Sequence, residues 1–200
     1  MGADVRLNGL PGPLSWQVEP VSWEPVGPDG LTVTAGPQTD LFVDPAGSPA
    51  QLSAPRALLP VSGDYRFSAR LSCAAAATYD AAALVAWVDD EQWVKLALER
   101  SPAGLLTVVS VVTRGRSDDA NGWPVPSGSC WLRISRTGPA TALHARADGE
   151  PWALVRHLAL GAGDTQVGLL AQSPTGAGAV STFDQVRLEP GGLADVRDGT

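Results

Sequence analysis

The sequence has little of the positive charge that nucleic acids attract. Lys and Arg together number 14 against 21 Asp and Glu, which gives a formal net charge of −7. Neutralising phosphates requires clustered Lys and Arg, so this balance argues against a nucleic-acid-binding surface. It argues equally against electrostatic docking on anionic lipid. We therefore expect neither nucleic acid nor a membrane among the partners of this protein.

Long hydrophobic runs and targeting signals are also missing. No run approaches the ~18 apolar residues of a membrane-spanning helix. Residues 1–10 have neither the basic start nor the apolar stretch of a signal peptide, so we expect a cytoplasmic protein. The 22 Gly and 17 Pro follow no collagen-like period, and the hydrophobic content of 44% is enough for a packed core.

Metal-binding side chains are few. The two cysteines and two histidines (Cys73, Cys130, His144 and His157) show no C-x-x-C or H-x-x-x-H spacing. A structural zinc site needs such spacing, so we predict no metal and no cofactor. Each cysteine lies in a strand-like run, which favours two buried, reduced thiols, with a disulfide as the alternative.

What the sequence does have is a hydrophobic period of two. From Tyr65 to Cys73, apolar residues alternate with polar ones, which is typical of a half-buried strand. Similar runs are separated by Gly- and Pro-containing turns, and this regular pattern predicts an all-β sandwich or barrel. Strands are predicted at residues 14–19, 31–35, 39–44, 65–73, 81–88, 92–99, 105–113, 131–135, 140–147, 152–157, 166–172 and 179–188.

The remaining segments are expected to be irregular. Residues 47–60 are interrupted by prolines and are predicted to be a loop. The alanines at 74–77 are too few for a stable helix, so they are predicted to form a loop or one helical turn. We expect one domain over residues 1–190, followed by a flexible tail over residues 191–200.

A series of short motifs resembles one known family. Over residues 14–189, and most closely after Tyr79, the chain is similar to the uncharacterised family called "regulation of enolase protein, concanavalin A-like", domain of unknown function 1349. The motifs are 39–42 (TDLF), 79–84 (YDAAAL), 89–96 (DDEQWVKL), 108–115 (VVSVVTRG) with 117–118, 131–134 (WLRI), 148–149 (DG) with Trp152, 167–174 (VGLLAQSP) and 183–188 (FDQVRL). The resemblance implies the jelly-roll β-sandwich of two antiparallel sheets found in concanavalin A-like lectins and glucanases. It implies no agreed activity.

The predicted strand at residues 92–99 offers a candidate binding face. Val94, Leu96 and Leu98 alternate with Trp93, Lys95 and Glu99, so the first set predicts the core and the second set faces outward. The preceding strand places Trp87 beside Trp93. Sugar-binding sandwiches use such faces, because an aromatic ring stacks on a pyranose while charged groups bond its hydroxyls. We therefore predict a ligand site made of Trp87, Trp93, Lys95 and Glu99; the alternative is that both Trp side chains are buried under a loop or a dimer partner.

Two further features extend the candidate site. Lys95 is the only lysine in an Arg-rich chain, a bias typical of a GC-rich bacterial genome, and a compact ammonium is favoured at a site that needs one. The segment from Arg114 to Asp119 follows a strand and is predicted to be a functional loop, with Arg114 and Asp118 binding the ligand. Two adjacent carboxylates could bind Ca²⁺, but Asp118 and Asp119 alone supply too few oxygen ligands. The alternative is therefore an acidic turn paired with its own arginines.

Catalysis is the first alternative to simple binding. Glycosidases of this architecture carry two carboxyl groups at i and i+2 or i+4 on one strand, and no Glu here has such a partner. A carboxylate from a neighbouring strand would supply it, and the candidate acid/base groups are Lys95, Glu99 and His144. Three hypotheses remain: binding of a carbohydrate or sugar-like small molecule, a hydrolase or lyase acting on one, and a protein-interaction module such as a homodimer.

Overall fold

The computed structural model describes residues 4–161 and 164–200, and within them it contains sixteen strands and no helix. No helix that could span a membrane is therefore found in this part of the chain. The strands are β1 (Ser15–Val18), β2 (Ser22–Val26), β3 (Gly30–Ala35), β4 (Leu41–Phe42), β5 (Gln51–Leu52), β6 (Arg56–Val61), β7 (Tyr65–Ala74), β8 (Ala81–Asp89), β9 (Gln92–Arg100), β10 (Leu106–Arg114), β11 (Arg116–Pro124), β12 (Ser129–Thr137), β13 (Ala140–Arg146), β14 (Ala153–Ala159), β15 (Thr165–Gln172) and β16 (Ala179–Pro190).

Two seven-stranded antiparallel sheets make up the molecule. The first sheet has the order β1-β6-β15-β8-β9-β10-β11, and the second has the order β14-β13-β12-β7-β16-β3-β2. The late strands β15 and β16 lie inside the sheets, between strands from much earlier in the chain. This arrangement confirms the all-β, concanavalin A-like jelly-roll sandwich predicted from the sequence. Strands β4 and β5 form a separate short hairpin.

Two of the predicted loops contain strands instead. Within the predicted loop at 47–60, β6 begins at Arg56, and it accommodates Pro60 opposite Gln166. The predicted functional loop from Arg114 to Asp119 is a tight turn at Gly115, whose φ is +73°, followed directly by β11. Both predictions were therefore wrong. Period-two patterning missed these strands because β6 is apolar on both faces and β11 is mostly exposed.

The main core lies between the two sheets. Val94, Leu96 and Leu98 of β9 are buried there, as the alternation predicted, and they pack in one cluster with Phe67 and Leu71 of β7. Burial of such side chains is the main favourable contribution to folding.

The outer face of the first sheet carries a second apolar cluster. Residues 39–54, called here the covering segment, contain the β4–β5 hairpin and lie over this face, with Leu41, Val43 and Ala54 buried against it. The other members come from the first sheet, and they are Leu58, Ala81, Ala83, Val85, Trp87, Trp93, Ala97, Val109, Val111 and Leu170. The first sheet is therefore buried on both faces along its middle strands.

Hydrogen bonds near β15 and at β11 attach the covering segment to the first sheet. At one end, Thr39 and Ser173 exchange backbone hydrogen bonds of 3.2 and 3.1 Å. Further along, the amide of Val43 donates to Oγ of Ser117 at 2.9 Å, and the amide of Ser117 donates to the carbonyl of Val43 at 2.9 Å. These bonds hold the segment across the sheet from β15 to β11.

The C-terminal residues make defined contacts with the second sheet. The amide of Leu193 donates to Oγ1 of Thr137 at 3.0 Å, and Nη2 of Arg133 donates to the carbonyl of Gly199 at 2.7 Å. The flexibility of residues 191–200 stays a prediction. Cys73 and Cys130 are free thiols. Burial raises the pKa of Cys130 to about 12 and that of Cys73 to about 11.

Candidate functional site

The predicted aromatic platform is buried. Trp87 is 4% exposed and Trp93 is 0% exposed, so the prediction of an outward sugar-stacking surface was wrong. The two indoles stack on each other, with ring centroids 6.3 Å apart and an interplanar angle of 4°. They pack beneath the covering segment with Leu41, which is the alternative of burial under a loop. The homodimer expectation rested on the same patch and stays a prediction.

Lys95 faces the predicted side of β9 but is only 2% exposed. The expectation of a solvent-exposed ammonium was therefore wrong, because the covering segment closes over it. Its Nζ donates to the carbonyl of Leu41 at 2.9 Å and to Oε1 of Gln172 at 2.8 Å. Oδ1 of Asp40 lies 4.0 Å from the same nitrogen. A buried ammonium requires such partners, since leaving it unpaired would be costly.

Beside this ammonium lies a cavity of about 280 Å³ between the covering segment and the first sheet. We call it the charged cavity, because one ammonium and three carboxyl groups line it. The lining residues are Asp40, Phe42, Tyr79, Lys95, Glu99, Val109, Val111, Asp119 and Gln172. Lys95 and Glu99 are thus brought to one site, as the sequence predicted, although the Trp pair is not part of it.

The strand register explains how the charges meet. Lys95 of β9 lies opposite Val111 of β10, which lies opposite Asp119 of β11. Residues directly opposite one another point to the same face of a sheet, so the ammonium and this carboxylate share the outer face. Glu99 lies four residues further along β9 on that face. Asp119 therefore adds a second carboxylate to this face, although it comes from β11, two strands from β9, and not from a neighbouring strand.

Burial raises the pKa of two carboxyl groups of the charged cavity, those of Glu99 and Asp40. Burial raises the pKa of Glu99 to about 7; Lys95 opposes this rise, and the negative charges of Asp40 and Asp119 add to it. Burial also raises the pKa of Asp40, against the attraction of Lys95 and a hydrogen bond from the amide of Leu41. Glu99 is thus a group that gains or loses a proton near pH 7.

Two aromatic side chains stand at the cavity, Phe42 of the covering segment and Tyr79 before β8. Tyr79 is 42% exposed, and its φ of +70° lies in the left-handed region that non-glycine residues rarely adopt. Both of its backbone groups are held, because its amide donates to the carbonyl of Arg100 at 2.8 Å and its carbonyl accepts from Nε2 of Gln172 at 3.1 Å. Gln172 therefore connects the Tyr79 backbone to the Lys95 ammonium.

The other predicted site residues lie elsewhere. Arg114 and Asp118 line a separate cavity on the other side of β11, together with Arg156. His144 belongs to β13 of the second sheet, where it is fully buried and its Nε2 donates to the carbonyl of Val196 at 2.9 Å. Burial lowers the pKa of this imidazole. The five predicted site residues other than Trp87 and Trp93 thus divide between the charged cavity, the second cavity and the second sheet.

Sequence analysis missed the roles of Asp40, Phe42, Tyr79, Asp119 and Gln172. A signal was present for most of them, because Asp40 and Phe42 lie in one resemblance motif while Tyr79 and Gln172 lie in two others. Those motifs were used only to recognise the fold. The strand period could not connect them, since they meet through the covering segment and the pairing of distant strands.

A match to a protein-family model assigns this chain to a family. The model described as "Protein of unknown function (DUF1349)" matches residues 16–191. The chain belongs to this family. The resemblance found in the sequence motifs is therefore confirmed, and the charged cavity is a feature of a DUF1349 domain. No protein with a curated description matches the sequence.

Solved structures similar to this DUF1349 protein support the fold. A functionally unknown protein from Saccharomyces cerevisiae has a TM-score of 0.82 and 23% identity, covering 90% of this chain and 97% of its own. The GH43 protein BlXynB from Bacillus licheniformis has a TM-score of 0.66 and 18% identity, covering 87% of this chain but 36% of its own. The carbohydrate-binding module CBM66 from Bacillus subtilis has a TM-score of 0.55 and 13% identity, covering 88% of this chain and 97% of its own. All three share the β-sandwich architecture.

Proposed function

We propose that this protein binds a carbohydrate, or a similarly hydroxylated small molecule, in the charged cavity. The observation that carries the proposal is the lining itself, in which the Lys95 ammonium, carboxylates and the Gln172 amide surround one space with Phe42 and Tyr79 beside it. Sugars present many hydroxyl groups and apolar ring faces. Charged donors and acceptors bond the hydroxyls, and aromatic rings cover the ring faces. The likeness to a carbohydrate-binding module agrees with this proposal.

The size and charge of the cavity narrow the ligand class. Ligand pockets commonly measure roughly 300–1,000 Å³, and a cavity of about 280 Å³ lies just below that range, so we expect a small ligand. Three carboxyl groups surround a single ammonium that the protein already pairs with Gln172. A uronic acid would bring a further negative charge into this site. We therefore expect a neutral sugar, or one that carries an amine.

Calorimetric titration with neutral and amine-bearing mono- and disaccharides, chosen by a glycan array, tests the proposal. Tyr79→Ala removes an aromatic ring at the cavity and is expected to weaken binding by about tenfold or more, which corresponds to roughly 1.4 kcal/mol. Val180→Ala is the matched control, because it trims an exposed apolar side chain on the second sheet. Binding that survives Tyr79→Ala unchanged, or an array without any saturable ligand, would contradict the proposal.

A second candidate function is acid/base catalysis on the same ligand class. The specific observation is the Glu99 pKa of about 7 in a cavity that also holds Asp40 and Asp119. Such an arrangement can present a protonated acid and an ionised base together near neutral pH. Release of reducing sugar, and absorbance from an eliminated product, would be measured for wild type and Glu99→Gln. The catalytic function requires that the wild-type protein turns over the sugar. It also requires that Glu99→Gln abolishes this turnover while sugar binding persists. Binding without turnover in wild type leaves the non-catalytic function.

A further inference from the structure

The second cavity lies at the open side of the sandwich, where the edge strands β11 and β14 of the two sheets face each other. It measures about 120 Å³. Its lining consists of Val112, Arg114, Arg116, Asp118, Arg156 and Leu158. We call this cavity the arginine seam. It belongs to neither the charged cavity nor the covering segment, since it shares no lining residue with the charged cavity.

Strand geometry brings three guanidinium groups to the seam. Arg114 ends β10 and Arg116 begins β11, and the two residues pair across the turn at Gly115. Arg156 comes from β14 in the other sheet. On β11, Asp118 and Asp119 are adjacent and therefore point to opposite faces. Asp119 enters the charged cavity, whereas Asp118 enters the seam.

Positive charge in the seam is only partly neutralised. Arg156 donates to both the carbonyl and Oδ1 of Asp118, at 3.0 and 2.9 Å. Among the described residues, the guanidinium groups of Arg114 and Arg116 form no hydrogen bond and no ion pair within 4 Å; that of Arg116 has only a longer-range attraction to Asp44. Three cations thus face one carboxylate, in a protein whose net charge is −7. An anion that bridges the guanidinium groups would offset the repulsion between these like charges.

We infer that the arginine seam binds an oxyanion, as a phosphate or sulfate group, with Arg114 and Arg116 as its principal donors. Each guanidinium presents a planar fork of N–H groups that fits two oxygens of a phosphate or sulfate. Val112 and Leu158 supply an apolar floor that limits water around the ion, which strengthens the interaction. The site goes beyond the proposed sugar binding and takes the opposite charge.

Titration of the protein with inorganic phosphate and with sulfate at low ionic strength tests the seam. Binding is measured by calorimetry and by the amide chemical shifts of residues 112–118. The double variant Arg114→Gln, Arg116→Gln is expected to weaken binding by about tenfold or more. The double variant Arg6→Gln, Arg197→Gln is the control for net charge, because it removes two exposed guanidinium groups elsewhere. Melting temperatures without anion show whether each variant is folded. Equal weakening by the control, or no saturable binding to wild type, would overturn the inference.

A variant with the opposite expected sign keeps the test independent of folding defects. Asp118→Asn removes the one carboxylate among the lining residues of the seam, while its amide oxygen and the backbone carbonyl can still accept from Arg156. Anion binding is then expected to strengthen by about threefold or more, since a competing negative charge is lost. Unchanged or weaker binding in Asp118→Asn contradicts the proposed site. Glucose 6-sulfate and free glucose distinguish the source of the bound anion. Tighter binding of the ester than of inorganic sulfate indicates a sulfated or phosphorylated ligand. Equal binding of the two indicates the free ion.

Discussion

The two faces of β9 carry alternate residues of one short segment into different environments. Val94, Leu96 and Leu98 enter the main apolar cluster, where the buried hydroxyl of Ser110 on β10 is a polar neighbour opposite Leu96. The opposite face is just as well covered near Trp93, yet further along it carries Lys95 and Glu99 beside a cavity. Burial therefore does not distinguish a structural face from a candidate site here. What distinguishes them is whether the buried groups fill their space and satisfy one another.

The largest expected effect concerns the core face. Leu96→Ala leaves a cavity among closely packed side chains and is expected to lower the free energy of unfolding by about 2–5 kcal/mol. Leu96 is completely buried, so the surrounding side chains have little room to collapse into the space. Denaturant unfolding monitored by circular dichroism measures the loss, with the exposed Leu105→Ala as the control. A loss below that of the control would mean that this face is loosely packed.

Lys95→Met tests the opposite face at the neighbouring position. The methionine side chain replaces the apolar part of the lysine side chain but carries no ammonium. The carbonyl of Leu41 and Oε1 of Gln172 therefore lose their donor. Unpaired buried acceptors cost about 1–3 kcal/mol each, so we expect a clear loss of stability in denaturant unfolding. An exposed lysine would contribute within about 1 kcal/mol, and a change that small would show that the ammonium is solvated. The variant should also lose sugar binding.

Detaching the covering segment is expected to affect the outer face alone. Ser117→Ala removes the acceptor of the Val43 amide and the 2.8 Å contact with the Thr113 hydroxyl, at a cost of about 1 kcal/mol. Trp87 and Trp93 should then become more accessible to acrylamide, which fluorescence quenching measures. Ser127→Ala, at an exposed hydroxyl, serves as the control. Quenching that does not change would mean that other contacts suffice to hold the segment.

A pH dependence from Glu99 is expected on the same outer face. Its pKa in the folded protein is about 7, above the ordinary 4.5, so the folded state holds a proton that the unfolded state has released. The stability that this proton provides is complete below about pH 4.5 and is lost as the pH rises through about 7. Glu99→Gln removes this loss, so its melting temperature should gain on that of wild type between pH 5 and pH 8. Glu91→Gln, at an exposed carboxylate, should follow wild type throughout.

Much of the fold could be predicted because strand period and turn residues are local. The alternation of Val94, Leu96 and Leu98 identified the core face correctly, and the motif series identified the family. The cover over Trp93 could not be predicted, since Leu41 reaches it from more than fifty positions away along the chain. For the same reason Lys95 and Glu99 were found, whereas Asp40 and Tyr79 were not. Local patterns assign a side chain to a face, but only the completed fold shows what lies above that face.

The order of strands has a consequence for how the chain reaches this state. The last two strands, β15 and β16, pair with β6 and β8 in one sheet and with β3 and β7 in the other. Neither sheet is continuous until these strands are present, so a ribosome-bound chain that ends before residue 165 exposes four unpaired strand edges. Contacts between such distant segments slow folding, commonly to milliseconds or seconds for all-β sandwiches. Assembly of this domain is therefore expected to follow synthesis of nearly its whole length, and nascent chains depend on protection from aggregation until then.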